Sequence, residues 1–428
     1  MKRIGIYGLM CVGLMAMVMP LLPFQDDWTY LTAPSPDFAW RDLLPGAAFW
    51  RPFDALWGGI LGCAPWLFPW ANRIAIVLGH VLCVYLVARI VDALCEERRG
   101  RFAAVGFFAL SSGIAAVIVN TDSINLVWSC AWGCVGTLAL LKGRSLLPVF
   151  GCYAVSVLCK ESGLSWLAVG PLLAFGKDSD WRRLAKLACL GACVFAVYMC
   201  ARFALQGDVS LGNGGDYALT LSPKTIGVNL SILAGLSLSG VDALAFVSHR
   251  YFLFGATAVL SVIAWSVFAL CADLGRGKSA ALRLLVCAAM ILAFAAPHCL
   301  FKNHHPAEMH FYPLVLGTAL AIALIPVGYV KRMPFIVSVV SMCVVFAIGW
   351  FDKMTAIYES SARAKALLAE VRDSVADFSV ANEYRVKSTP EVARYSVFSQ
   401  PATWCLDNGR AFRRLNGWRE SKLVLVEE

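Results

Sequence analysis

Ile4-Gly-Ile-Tyr-Gly-Leu-Met-Cys-Val-Gly-Leu-Met-Ala-Met-Val-Met-Pro20-Leu-Leu-Pro23-Phe24, followed at once by Gln25-Asp26-Asp27-Trp28-Thr29-Tyr30, is an apolar run that ends on two adjacent carboxylates. A bilayer core roughly 30 Å thick needs about 20 apolar residues in a crossing helix. Lys2 and Arg3 precede the run as they would in a signal peptide. Pro20 and Pro23 carry it on without a small-residue cleavage site, so it reads as a retained first helix. Further runs fall near residues 73–94, 102–120, 126–142, 145–159, 162–176, 187–206, 251–273, 284–301, 313–330 and 334–351, which predicts eleven spans. One soluble core could not hide so many.

Composition agrees. Of 428 residues, 59% are hydrophobic and 15% charged, against about 25% charged in an ordinary soluble domain. A cytosolic enzyme, a disordered scaffold, a secreted disulfide-rich domain and a soluble body on a lone anchor are all excluded. Most of the 16 cysteines lie inside apolar runs, where they pack as small apolar residues. Cys63 and Cys405 alone lie clearly outside them, and sequence cannot establish the proximity a bond between them needs.

With the N-terminus in the cytoplasm, the short inside segments hold sixteen basic residues, among them Arg98, Arg99, Arg101, Arg182, Arg183 and Lys186. The longer outside segments up to residue 350 hold eight, from Arg41 to Lys302. This bias orients the chain in a plasma (inner) membrane. The net charge of +9 is therefore a topology signal rather than a nucleic-acid footprint. Two outside segments, 25–72 and 207–250, are too long to be mere connectors. Their apolar patches, Ala55 to Phe68 and Ile226 to Leu238, read as interfacial or re-entrant helices. From Asp352 the chain turns polar. A helical pattern from Ala356 to Phe378 and strand-like pieces at Tyr395 to Phe398 and Leu423 to Val426 predict a small α+β extracytoplasmic domain over 352–428, after an all-α membrane domain over 1–351.

The outer rim carries the reactive side chains. Asp26 and Asp27 are costly to desolvate at a bilayer edge. They read either as a solvated loop start capping a helix from Trp28 or as a general base that takes a proton from an acceptor hydroxyl. Arg51, in Phe49-Trp50-Arg51-Pro52-Phe53, suits a phosphate through its planar fork, or snorkels to headgroups. His80 is a helix-to-helix hydrogen bonder or a ligand of acceptor or phosphate. Lys160 and Glu161 are sequence neighbours that do not face each other on a helix, so they serve separate partners; Lys160 could neutralise a phosphate or sit in a solvated turn. The stretch His298 to Pro313 holds four of the six histidines. His304 and Glu308 have the i, i+4 spacing of two metal ligands on one helical face, although Pro306 opposes a helix there. Sugar and phosphate contacts by Glu308 and His310, with Tyr312 as an interface anchor, account for the same composition without an ion. GxxxxGK[ST], GxGxxG, HExxH and GxSxG are absent, so a donor must be membrane-borne or arrive from outside.

Taken in order, Asp26-Asp27, Pro36-Asp37-Phe38, Arg51-Pro52, His80, Lys160-Glu161-Ser162 and the Glu308-x-x-x-Tyr312 spacing resemble the glycosyltransferase C (GT-C) superfamily over roughly residues 1–330. The likeness is nearest to the membrane part of the tetratricopeptide-repeat O-mannosyltransferases and their bacterial relatives. The resemblance implies that Asp26 is the catalytic acid with Asp27 as its neighbour. It also implies a polyprenyl-phosphate hexose as donor, inversion at the anomeric carbon and no obligatory metal. An acceptor hydroxyl on the outer face, of a glycan, lipid or protein, is expected, and the missing repeats mean that protein mannosylation is not carried over. Two features depart from the family: the repeats are missing, and Asn120-Thr121-Asp122-Ser123 replaces the histidine and acid expected after the third helix. A transporter or flippase of lipid-linked sugars is the alternative, and should show related halves and helices broken at mid-membrane. An export subunit without catalysis is a third reading, for which the acid pair should be dispensable.

Overall fold

The computed structural model describes residues 2–44, 50–95, 97–206, 220–272, 278–302, 308–326, 332–375, 383–386, 402–415, 418 and 423–427. Helix α1 (Lys2–Val18) leads into the first long connector, which carries α2 (Pro52–Gly62). The body follows as α3 (Trp70–Leu94), α4 (Arg98–Leu110), α5 (Ala115–Val119), α6 (Ile124–Leu141), α7 (Leu146–Cys159), α8 (Trp166–Asp178) and α9 (Trp181–Gln206). After the second long connector come α10 (Pro223–Ser239), α11 (Ala243–Val247), α12 (Tyr251–Cys271), α13 (Lys278–Cys299), α14 (Phe311–Leu324) and α15 (Arg332–Ser374).

Among the described residues, seven helical stretches are long and apolar enough to cross a membrane: 70–94, 98–119, 121–141, 181–204, 251–271, 280–299 and 332–374. The protein is accordingly an all-α, membrane-embedded chain in its body. The other four apolar runs are helical too but shorter, with 17 residues in α1, 14 in α7, 13 in α8 and 14 in α14. Helix α14 is buried along its whole length among α3, α4, α10 and α13. Lipid supplies no hydrophobic drive between helices, so small residues must let them close. A Cβ on Gly133 of α6 would stand 2.1 Å from the Trp166 ring, and one on Gly170 of α8 would stand 1.8 Å from the Tyr153 hydroxyl. That hydroxyl lies 3.2 Å from Thr137 Oγ1, which satisfies it.

The two connector patches are helical, as α2 with the following 3-10 turn Pro65–Leu67 and as α10, which packs on α13 and α14. The glycine-rich run from Leu211 lies outside the described residues. The expected boundary at residue 352 falls inside α15, which continues unbroken for 43 residues. The first polar residues do not end the helix because their charges are met sideways. Asp352 pairs with Arg250, and Lys353 pairs with Glu308 while donating to the Ser112 carbonyl at 3.1 Å. Further along, Tyr358 donates to the Met17 carbonyl at 2.6 Å, and Ser361 Oγ accepts from the Leu22 N–H at 2.8 Å. The polar half of α15 thus grips the end of α1.

Beyond α15, β1 (Glu383–Val386) pairs in parallel with β2 (Val424–Glu427), and α16 (Ala402–Cys405) packs on α15. Trp28 Nε1 donates to the Cys405 carbonyl at 3.0 Å, and Thr29 Oγ1 to Asp407 Oδ2 at 3.2 Å. These bonds tie the C-terminal residues to the segment after α1. The strand expected at Tyr395 to Phe398 lies outside the described residues. No disulfide joins Cys63 to Cys405.

Candidate functional site

Gln25–Trp28 is a 3-10 turn. Within it Asp27 is 1% exposed, and its carboxyl stitches two segments together. Oδ2 accepts from the Phe24 N–H at 2.9 Å and Oδ1 from the Asp122 N–H at 3.0 Å. Burial first, then the charge of Asp122, push the Asp27 carboxyl up to about 8. Burial thus favours the protonated form of Asp27, which holds the backbone of Asp122 in place. Asp26 belongs to the same turn; its side chain lies outside the described residues.

Next to this stitch lies a cleft of about 520 Å³. Tyr30, Arg51, Asp122, Lys160, Glu161, Tyr198, Arg202, His298 and His310 give its polar lining. Leu164 and Ala168, Phe195 and Met199 of α9, and Ala293 and Ala296 of α13 give its apolar lining, interleaved along α9 with Tyr198 and Arg202. Among the lining residues, the cations Arg51, Lys160 and Arg202 accompany the carboxyls of Asp122 and Glu161. Burial raises the Asp122 carboxyl above its ordinary range against the pull of the Lys160 and Arg51 charges.

The polar lining is built by chain breaks. Helix α7 stops at Lys160, whose backbone is extended at φ −156° and ψ 142°, and the 3-10 turn Glu161–Ser165 follows. The two neighbouring charges consequently diverge. Glu161 Oε2 accepts from Arg51 Nε at 2.7 Å, and the Arg51 guanidinium sits over the Tyr30 ring at 5.6 Å. Lys160 Nζ donates to Asn125 Oδ1 at 3.3 Å, and Asn125 Nδ2 donates to Asp54 Oδ2 at 2.8 Å. Asn125 thereby relays Lys160 to a carboxyl at the start of α2. Burial pushes the Asp54 carboxyl up to about 7 against the pull of the Arg51 charge. Burial, then repulsion from Arg51, pushes the Lys160 ammonium down to about 8. Both groups can exchange a proton near neutrality. Trp50 stacks on Tyr198, ring centroids 5.5 Å apart.

Comparison with family models, curated proteins and solved structures finds no match.

Arg51, Lys160, Glu161 and His310, from distant parts of the sequence, do line one cleft, and Lys160 and Glu161 serve separate partners as their adjacency predicts. Other candidates are placed elsewhere. His80 Nδ1 lies 2.9 Å from the Tyr312 hydroxyl, and both are fully buried against Phe108. His80 is thus the helix-to-helix bonder of its two readings, and Tyr312 is not an interface anchor, because α14 runs through the protein interior. Glu308 Oε1 pairs with the buried Lys353 of α15, a partner its reading as a sugar contact or metal ligand did not include. His304 lies outside the described residues.

Asp122, Tyr198, Arg202, His298, Asp54 and Asn125 are the residues that sequence reasoning passed over. Asp122 stands in the very stretch that departs from the family pattern. Polar residues leading into an apolar run look like an ordinary helix start, and only the Asp27 contact distinguishes this one.

Proposed function

We propose that the protein is an integral-membrane glycosyltransferase of GT-C type that moves a hexose from a polyprenyl-phosphate carrier to an acceptor hydroxyl on the outer face of the membrane. On this reading α1, α7, α8 and α14 complete eleven crossings, and the segment 25–72 and the C-terminal residues lie outside. The observation that carries it is the mixed lining of the cleft. Cations and carboxyls share its wall with apolar residues, several of them on α9, whose Phe195 is 47% exposed from the protein and available to lipid. A lipid phosphate carrying a sugar needs the same mixture of charged and apolar contacts.

Asp122 is the carboxylate placed to act as base, with Asp27 as the neutral neighbour that holds it. It accepts the acceptor's hydroxyl proton as that oxygen bonds to the anomeric carbon. The bond from that carbon to the phosphate oxygen breaks through an oxocarbenium-like state, with inversion. The lipid phosphate leaves as an anion held by Arg51, Lys160 and Arg202, without needing a proton. Transfer from a polyprenyl-phosphate hexose in membranes bearing Asp122→Asn should fall by about 10²–10⁴, the usual contribution of a general base. Undiminished transfer in that variant discards Asp122. Loss in Asp26→Asn instead returns the role to Asp26.

A further inference from the structure

His298, in the last turn of α13, and His310, just before α14, come from separate elements and meet in the cleft wall. Their rings stack at 4.1 Å between centroids with 18° between planes, and Phe301 packs edgewise on His298. The side chains are 4% and 9% exposed. Among the described residues, neither ring nitrogen of His298 nor Nδ1 of His310 has a hydrogen-bond partner. Buried polar atoms are normally satisfied, so unmet ones in the wall of a cleft call for a ligand. The turn that presents His310 is held from behind by the Glu308 bond to Lys353.

A shared metal ion does not fit this pair. An ion bound by imidazole lies in the ring plane, about 2.0–2.1 Å from nitrogen for zinc. Two stacked planes converging by only 18° share no such point. A phosphate is better served by the three cations of the same cleft. Hydroxyl groups do fit, because each both donates and accepts and so matches an imidazole nitrogen in either tautomer.

We propose that the stacked His298–His310 pair reads the hydroxyl groups of the sugar carried by the lipid phosphate, and so sets which sugar the cleft accepts. The inference rests on the donor class proposed above. It divides the cleft into a phosphate end at Arg51, Lys160 and Arg202 and a sugar end at the histidines.

The test measures binding of two probes to the purified full chain in detergent: undecaprenyl phosphate and undecaprenyl-phosphate glucose, with the mannose form beside it. The wild type should bind a sugar-bearing lipid more tightly than the bare phosphate. His298→Phe and His310→Phe keep the ring stack and delete the nitrogens. Each should lose about tenfold in affinity for the sugar-bearing lipid, as expected for one or two hydrogen bonds, while the bare lipid phosphate binds within about twofold of wild type. Equal weakening for both lipids overturns the proposal and makes the pair a phosphate contact. Unchanged binding of both also overturns it. Should the Phe variants bind neither lipid, His298→Leu and His310→Leu decide: loss of the sugar preference with bare-lipid binding intact supports the proposal, and an unchanged preference overturns it. An affinity abolished by a chelator would assign the pair to a metal. Failure of the wild type to bind undecaprenyl phosphate at all would sink the donor class itself, a result separable from every other.

Discussion

Lys353 and Glu308 keep 2% and 1% of their side chains exposed, whereas Arg51 and Glu161 keep 9% and 14% and stand in the wall of a cleft. Both are ion pairs in a membrane protein, but their surroundings give them different uses. The first is sealed between α15 and the turn before α14, and no ligand can reach it. Its attraction offsets the desolvation of two charges only while both partners are present. The second can exchange partners: on the proposed function a phosphate arriving at Arg51 would compete with Glu161 for the guanidinium. Enclosure, rather than residue type, separates a charge sealed into the fold from a charge open to a cleft.

The largest effect that could break this contrast is on stability. Lys353→Ala leaves Glu308 buried and unpaired and should cost about 3–5 kcal/mol, read as a lowered melting temperature in detergent. Arg51→Ala should lower the melting temperature less than Lys353→Ala, because Glu161 stands in the wall of the cleft and its free carboxylate can turn toward it. Equal losses would erase the distinction.

A smaller effect sharpens it through pH. The Asp27 carboxyl moves from its ordinary 3.8 to about 8. Between those values the native chain keeps a proton that the unfolded chain has released, so stability falls as pH rises. Asp54, raised to about 7, adds the same slope. Lys160, lowered from 10.5 to about 8, adds the opposite slope above 8. Melting temperature should therefore drop between about pH 5 and 8, and Asp27→Asn should flatten the drop. A wild-type curve that rises over this range contradicts the burial of the acid.

The smallest effect concerns the tie between the segment after α1 and the C-terminal residues. Trp28→Phe removes the bond to the Cys405 carbonyl while keeping an aromatic ring, and should cost about 0.5–1.5 kcal/mol. No change in melting would mean that the contact is incidental.

The helices were legible because apolar runs of crossing length have few other destinations. Lys160 and Glu161 were expected to act separately as helix neighbours, and they do, but because the chain breaks between α7 and the turn Glu161–Ser165. His80 and Tyr312 were legible only as alternatives: a polar side chain in an apolar helix signals a partner, but 232 residues of separation conceal that the partner is the other one. The end of α15 was hidden because the shift to polar composition coincides with Asp352 and Lys353, whose partners Arg250 and Glu308 come from other elements. Asp122 was hidden because its importance lies in a backbone contact with Asp27, which no local pattern encodes.

The unbroken course of α15 has a consequence for how the molecule tolerates change. At 1.5 Å per residue its 43 residues span about 65 Å, more than twice the thickness of the hydrocarbon core. Such a rod transmits angular phase. One residue inserted between Thr355 and Ala356 would turn everything beyond it by about 100°, swinging Ser361 away from Leu22 and carrying the docking face for α16 off its seat, while the Lys353 pair just before the insertion stayed untouched.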